Sequence, residues 1–286
     1  MTTVAASGSP TTITEQLAEY VVGLRFEDIP SGVVDSAKEL LVHHIAAAFL
    51  GTTTSRGERA VAVARACGGA GGQCSIIGQR RRAGPLDAAF ANSALMTSVG
   101  TVDFVLPPGV NPGASAQPAA WAVGEATGAS GRELLAAVIA GYDVMSALHS
   151  AVWSWELAVP RPLKFVIAPF GAAAVAARLF GLSHRQTVDA LGHAGQMGMG
   201  VYEGSEQLWF MHGLSARSGV LAAILAKAGM PASPTIMEGE HGVYRTFFLR
   251  DSPDATQDRL ATLGREFAIS LAKVNHGATS ALNVAP

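Results

Sequence analysis

Asp103 and His212 are the two residues in this chain whose types and surroundings suit proton transfer. A carboxylate among apolar neighbours is raised toward neutral pH and can serve as a general base, and an imidazole titrates near neutrality and can serve as acid or base. Each also has a plainer reading. Asp103, in TSVGTVDFVLPPGVNPG (residues 97–113), can be a loop or helix cap, and His212, following Trp209 and Phe210, can be a satisfied interface histidine. Lys164 can pair with one carboxylate or enolate, or remain a solvated loop lysine. Tyr202 and Glu203 lie on a Gly-flanked bend in GMGVYEGSEQ, and Phe104, Asn111, Leu208 and Trp209 complete a candidate substrate-binding wall.

Other chemically suggestive stretches carry less. His43 and His44 are adjacent, so on a helix they face different directions and lack the i, i+4 spacing of a metal pair. GGAGG at 68–72 lacks the Lys-Ser/Thr that follows a phosphate loop, and the run from Gln79 through Arg82 reads as a solvated basic face. The two cysteines, Cys67 and Cys74, have no His or Asp beside them, so neither a disulfide framework nor a zinc site is expected, and a reducing cytoplasm fits. No metal and no cofactor are expected.

The elements that must position these residues are helices. Thr12 with Glu15, Ser130 with Glu133, and Ser183 with Gln186 have the spacing of reciprocal capping boxes. ELLAAVIAGYDVMSALHS and PFGAAAVAARLFGL are apolar around most of the circumference, as buried helices are, and LSARSGVLAAILAKAGM ends at Gly229 with Pro231 beyond. QCSIIGQ at 73–79 is a weak strand candidate. Two Pro-rich loops are expected, at 100–118 and 159–169, where long loops in a compact domain tend to carry function. The 286 residues, 49% of them hydrophobic, suffice for a sizeable core. Residues 1–11 read as a disordered lead without signal-peptide character, and 12–286 as one all-α domain. A formal net charge of -2 argues against nucleic acid and membrane surfaces as partners, and no apolar run is long enough to span a bilayer.

DAAFANSALMTSVGTVDF, NPGASAQPAAWAVGEATGASGRELLAAVIAGYDV, FGAAAVAARLFGLSHRQTVDALGHAG and MEGEHGVY, in that order, resemble the successive blocks of the MmgE/PrpD family over roughly residues 12–280. The resemblance implies a large all-helical domain, a smaller α/β lid inserted late in the chain, a homodimer, and metal- and redox-independent chemistry on small polycarboxylates, as in 2-methylcitrate dehydratase and cis-aconitate decarboxylase. This sequence ends about where the lid would begin. The family's D-x-D-D-T loop and H-P-G/S turn fall on Gly100 to Phe104 and on Asn111-Pro112-Gly113. Its F-H-P-T-G block falls on Arg161 to Phe165, and its K-x-L/F-H block on Leu208 to Met211, one residue before His212. Cationic and acidic positions are thus occupied by Gly, Phe, Asn, Pro and Leu, and an unpaired substrate carboxylate in such a wall is costly. The expectation is a cofactor-independent lyase, isomerase or cyclase in the cytoplasm, acting on a less anionic organic substrate in specialised metabolism. The alternatives are the ordinary family dehydration or decarboxylation, and a non-catalytic partner of an active homologue.

Overall fold

Reciprocal hydrogen bonds lock three helix starts. Thr12 and Ser183 cap their helices as capping boxes, and Ser130 does the same: its amide donates to Glu133 at 2.7 Å while its Oγ accepts from the Glu133 amide at 3.3 Å. The computed structural model describes residues 11–68, 71–107, 109–150, 164–198, 208–249 and 254–274, and of Leu208 the backbone alone. Its helices are α1 (Ile13–Gly23), α2 (Ser31–Gly51), α3 (Ser55–Cys67), α4 (Pro85–Thr97), α5 (Gly113–Thr127), α6 (Gly131–Ser150), α7 (Lys164–Leu179), α8 (His184–Gln196), α9 (Leu208–Lys227), α10 (Val243–Phe248) and α11 (Asp254–Leu260). The fold is all-α, with only short strands. β1 (Cys74–Ser75) pairs antiparallel with β2 (Arg82–Ala83), and β3 (Asp103–Val105) with β4 (Ala272–Val274).

Helices α6, α7 and α9 meet through glycine. A Cβ on Gly141 would sit 2.6 Å from a Val175 methyl and 2.9 Å from the Gly171 carbonyl oxygen. One on Gly219 would sit 2.5 Å from the Pro169 carbonyl oxygen and closer still to the Ala172 Cβ. Backbone contact of this kind packs the Ala-rich α7 with little void, and every residue from Phe165 to Ala177 is buried. The far end of α9 closes on Gly229 at φ 85°, where Met230 donates to Leu225 and Gly229 to Ala226, a Schellman cap.

The two expected Pro-rich loops are largely structured. Pro112 precedes α5, and Pro118 lies inside it; the Ala114 carbonyl, deprived of its helical donor, accepts instead from the Ser93 hydroxyl of α4 at 2.5 Å. Residues 103–105 form β3. In the second stretch, α7 starts at Lys164 and Pro169 is buried within it, while 159–163 lie outside the described residues. The β3–β4 ladder was not expected, because three-residue strands show no alternation and their partners are distant in sequence.

Asp143 of α6 joins three elements. Its buried carboxylate accepts from the Tyr20 hydroxyl of α1 at 2.5 Å and from the Ala268 amide at 2.6 Å, just before β4. Arg178 of α7 adds donors to the Val21 and Leu24 carbonyls. Burial raises the Asp143 carboxyl to about 7, against partial compensation from these two donors.

Gly219→Ala is expected to lower the unfolding free energy by about 1–3 kcal/mol, the usual cost of overpacking, whereas Gly32→Ala, whose Cβ meets nothing, should be neutral or slightly stabilising in the same denaturation series. The native state retains a proton on Asp143 between roughly pH 4 and 7 that the unfolded chain has released. Its contribution to stability therefore falls as pH rises through that window. Relative to Asp143→Asn, the parent chain should lose up to about 1.4 kcal/mol per pH unit from pH 4 to 7.

Candidate active site

The chain reverses directly after β3. Val105 donates to the Val110 carbonyl at 2.9 Å, and Gly109 donates back to Val105 at 2.7 Å, which brings Asn111 alongside Asp103. The Asn111 amide donates to the Asp103 backbone carbonyl at 2.8 Å. Its oxygen accepts from the Lys164 ammonium at 2.9 Å. Lys164 opens α7 and stands 5.5 Å over the Phe165 ring, and Phe165 in turn packs on the His212 ring at 4.7 Å and 59°. The first turns of α7 and α9 and the 105–111 turn thus gather Asn111, Lys164, Phe165 and His212.

His212 is 5% exposed, and its Nδ1 has no hydrogen-bond partner among the described residues. Burial, assisted by the Lys164 charge, lowers its pKa to about 3, so the ring is neutral at physiological pH. Among the described residues the arrangement gathers an ammonium, a fixed amide and a neutral imidazole. Such a set can hold one carboxylate or enolate oxygen and take or return a proton beside it.

Asp103 faces elsewhere. Its carboxylate is wholly buried, with Oδ1 3.0 Å from Nε2 of His44 on α2. The Tyr142 hydroxyl of α6, which accepts from Gln117 at 3.1 Å, lies beside the same carboxylate. Only the backbone of Asp103 touches the Lys164 cluster. His44, Tyr142 and Gln117 were missed in the sequence, where no local spacing links them.

Phe104 alternates with buried Asp103 and Val105 on β3, is partly exposed, and pairs in register with Lys273. Trp209 packs with Phe90, Ala60, Ala94 and Leu214, and its carbonyl accepts from Thr97 at 2.8 Å. Together with Phe210, Val63 and Arg217 it lines a separate apolar cavity of about 300 Å³ between α3, α4 and α9, whose walls include none of Asn111, Lys164 and His212. Tyr202, Glu203 and the Leu208 side chain lie outside the described residues. Among the described residues, no three of His, Cys, Asp and Glu come together as a metal-binding group, and no helix is long and apolar enough to cross a membrane.

Residues 15–256 match the MmgE/PrpD N-terminal domain model. The cis-aconitate decarboxylase-like protein oryM of Aspergillus oryzae is 28% identical over 93% of the chain and 58% of its own length. The cis-aconitate decarboxylase of Aspergillus terreus is 27% identical over 91% and 56%, and that of Homo sapiens 28% over 84% and 51%. The chain spans just over half the length of these relatives. With the family model covering α1 to α10 and the start of α11, the chain belongs to the MmgE/PrpD family, and the Asn111, Lys164 and His212 cluster lies within the matched domain.

Proposed function

We propose that this chain is the helical domain of a cofactor-independent lyase whose substrate is a small organic acid with fewer carboxylates than cis-aconitate. The observation that carries the reading is the Lys164, Asn111 and His212 cluster, which among the described residues sets an ammonium held by an amide beside a buried imidazole. Lys164 holds one substrate carboxylate, with Asn111 fixing the direction of the ammonium. A further carboxylate that found no charge-assisted donor of its own would be desolvated at several kcal/mol. His212 is the proton carrier. Burial first, and Lys164 second, make the neutral imidazole a weak base, and a carboxylate held by Lys164 would offset the smaller of these two causes. The relatives' printed activity, decarboxylation of cis-aconitate, is the competing reading for the same cluster.

The same proposal places the chain in the cytoplasm as a homodimer. Cys67 and Cys74 are both free thiols, as a reducing compartment would leave them. Val42, Phe49 and Leu50 stand exposed along one side of α2, an apolar face that a second subunit would cover.

The reading is tested by thermal shift and by water or carbon dioxide release with a panel running from 3-hydroxy monocarboxylates such as 3-hydroxybutyrate, which can lose water, to cis-aconitate, which can lose carbon dioxide. Monocarboxylates should give the larger response, and a response confined to cis-aconitate would return the site to the ordinary family reaction. Lys164→Met should raise the ligand concentration needed by about tenfold or more, the loss of one charge-assisted contact. His212→Asn should lower turnover by about 10²-fold with little change in binding. Because the His212 pKa is depressed to about 3, kcat/KM should show no histidine inflection near pH 6.5, and such an inflection abolished by His212→Asn would contradict the buried, neutral ring.

A further inference from the structure

The polar groups behind β3 do not belong to the Lys164 cluster, and their hydrogen-bond inventory does not close without an extra proton. His44 Nδ1 lies 2.7 Å from the Leu40 carbonyl oxygen. A carbonyl can only accept, so Nδ1 carries a hydrogen. A neutral ring with that hydrogen presents a lone pair at Nε2, and Nε2 lies 3.0 Å from Asp103 Oδ1, with both side chains 0% exposed. Nε2 and both Asp103 oxygens lack an aligned hydrogen bond to any group among the described residues, each other included, so the pair stands at ion-pair distance. Two atoms that both bear lone pairs repel at this distance in a dry interior, so one of the two side chains carries an extra proton.

The surroundings decide which partner carries it. Gln117 donates to the Tyr142 oxygen, which frees the Tyr142 hydroxyl hydrogen to turn toward Asp103. The Asp103 oxygen also rests against Gly113, the first residue of the 15-residue α5, at the positive end of that helix. A hydroxyl donor and a helix N-terminus both favour the ionised carboxylate. Gly113 makes the convergence possible: a Cβ there would collide with the Asp103 oxygen, the Tyr142 oxygen and, at 2.6 Å, the His44 ring. We propose that His44 and Asp103 form a buried imidazolium–carboxylate pair, and that His44, acting through it, is a positioning residue for β3, Asn111 and Lys164. Asp103 is the link. Its side chain is held by His44, while its carbonyl holds Asn111, which holds Lys164.

The other titratable groups near the pair are few. His43 on the same helix has its ring 5.2 Å from that of His44 and its Nε2 2.5 Å from the Thr101 carbonyl. α6 brings Tyr142 and α5 the neutral Gln117. β4 brings Lys273, exposed and opposite Phe104, and the titratable residue of α4, Asp87, stands at the far end near Arg217.

Nitrogen NMR of the intact chain with ring-labelled histidine tests the pair without any ligand. One of the eight histidine signals, identified by its loss in His44→Gln, should show both ring nitrogens protonated at pH 7. In Asp103→Asn the same ring should carry a hydrogen on Nδ1 alone. A His44 ring with one protonated nitrogen at pH 7 in the parent chain overturns the ion pair, and that measurement stands even if Asp103→Asn fails to fold. The positioning role is read by hydrogen exchange. His44→Gln should speed exchange at the Val105 and Val110 amides and the Asn111 side chain by about tenfold or more, with the central amides of α7 and α9 unchanged. Unaltered exchange at Val105 and Asn111 refutes it.

Discussion

Close backbone approach among α6, α7 and α9 is the constraint on which the rest of the molecule depends. Gly141, Gly171 and Gly219 lie where any side chain would meet a neighbouring carbonyl or methyl, so these helices are held at distances that only small residues permit. The consequence reaches the candidate site directly. Lys164 is the first residue of α7 and His212 lies in the first turn of α9, so the spacing of the helix axes fixes the spacing of the ammonium and the imidazole. The site inherits its geometry from the core.

A core built of alanine and glycine contributes less apolar area per residue than one built of leucine, which raises the importance of its buried polar contacts. Each of these is placed where the helices leave a backbone group or a charge without a partner. Ser93 supplies the donor that Pro118 removed, Asn92 bridges Ser75 and Ile77 beside β1, and Asp143 ties α1 and the approach to β4 onto α6. Through Asp143 the C-terminal segment is brought back to pair with β3. The strand that carries Asp103 is therefore secured from both ends of the described chain.

What the sequence disclosed is local. Capping boxes and the Gly229 cap lie within one helical turn of chain, and all were legible as residue spacings. Pro118 and Pro169 were misread as loop residues because the features that allow them inside helices are tertiary. No spacing within α5 announces that Ser93 will answer the Ala114 carbonyl. Asp103, Asn111, Lys164 and His212 could be singled out from family blocks and residue type, and the structure links three of them by side chain and Asp103 by its backbone. Trp209 was placed with them by proximity in sequence, yet helical geometry turns it toward α3 and α4. His44 was set aside because its neighbour His43 cannot share a metal with it. Its actual partner lies on a strand whose existence depends on pairing with residues near the other end of the chain.

The two histidines at this end of the molecule illustrate how one residue type is driven in opposite directions by its surroundings. His212 is buried against Phe165 with a cation nearby and, among the described residues, no partner on Nδ1, so burial removes its charge. His44 is buried to the same extent but meets a carbonyl on one nitrogen and a carboxylate on the other, which supply the compensation that a buried cation requires. Asp103 lies between the two systems, and its backbone carbonyl is the atom through which they touch. In the proposed arrangement a charge pair holds the strand on one side, while on the other the Lys164 ammonium and the neutral His212 ring both stand against Phe165.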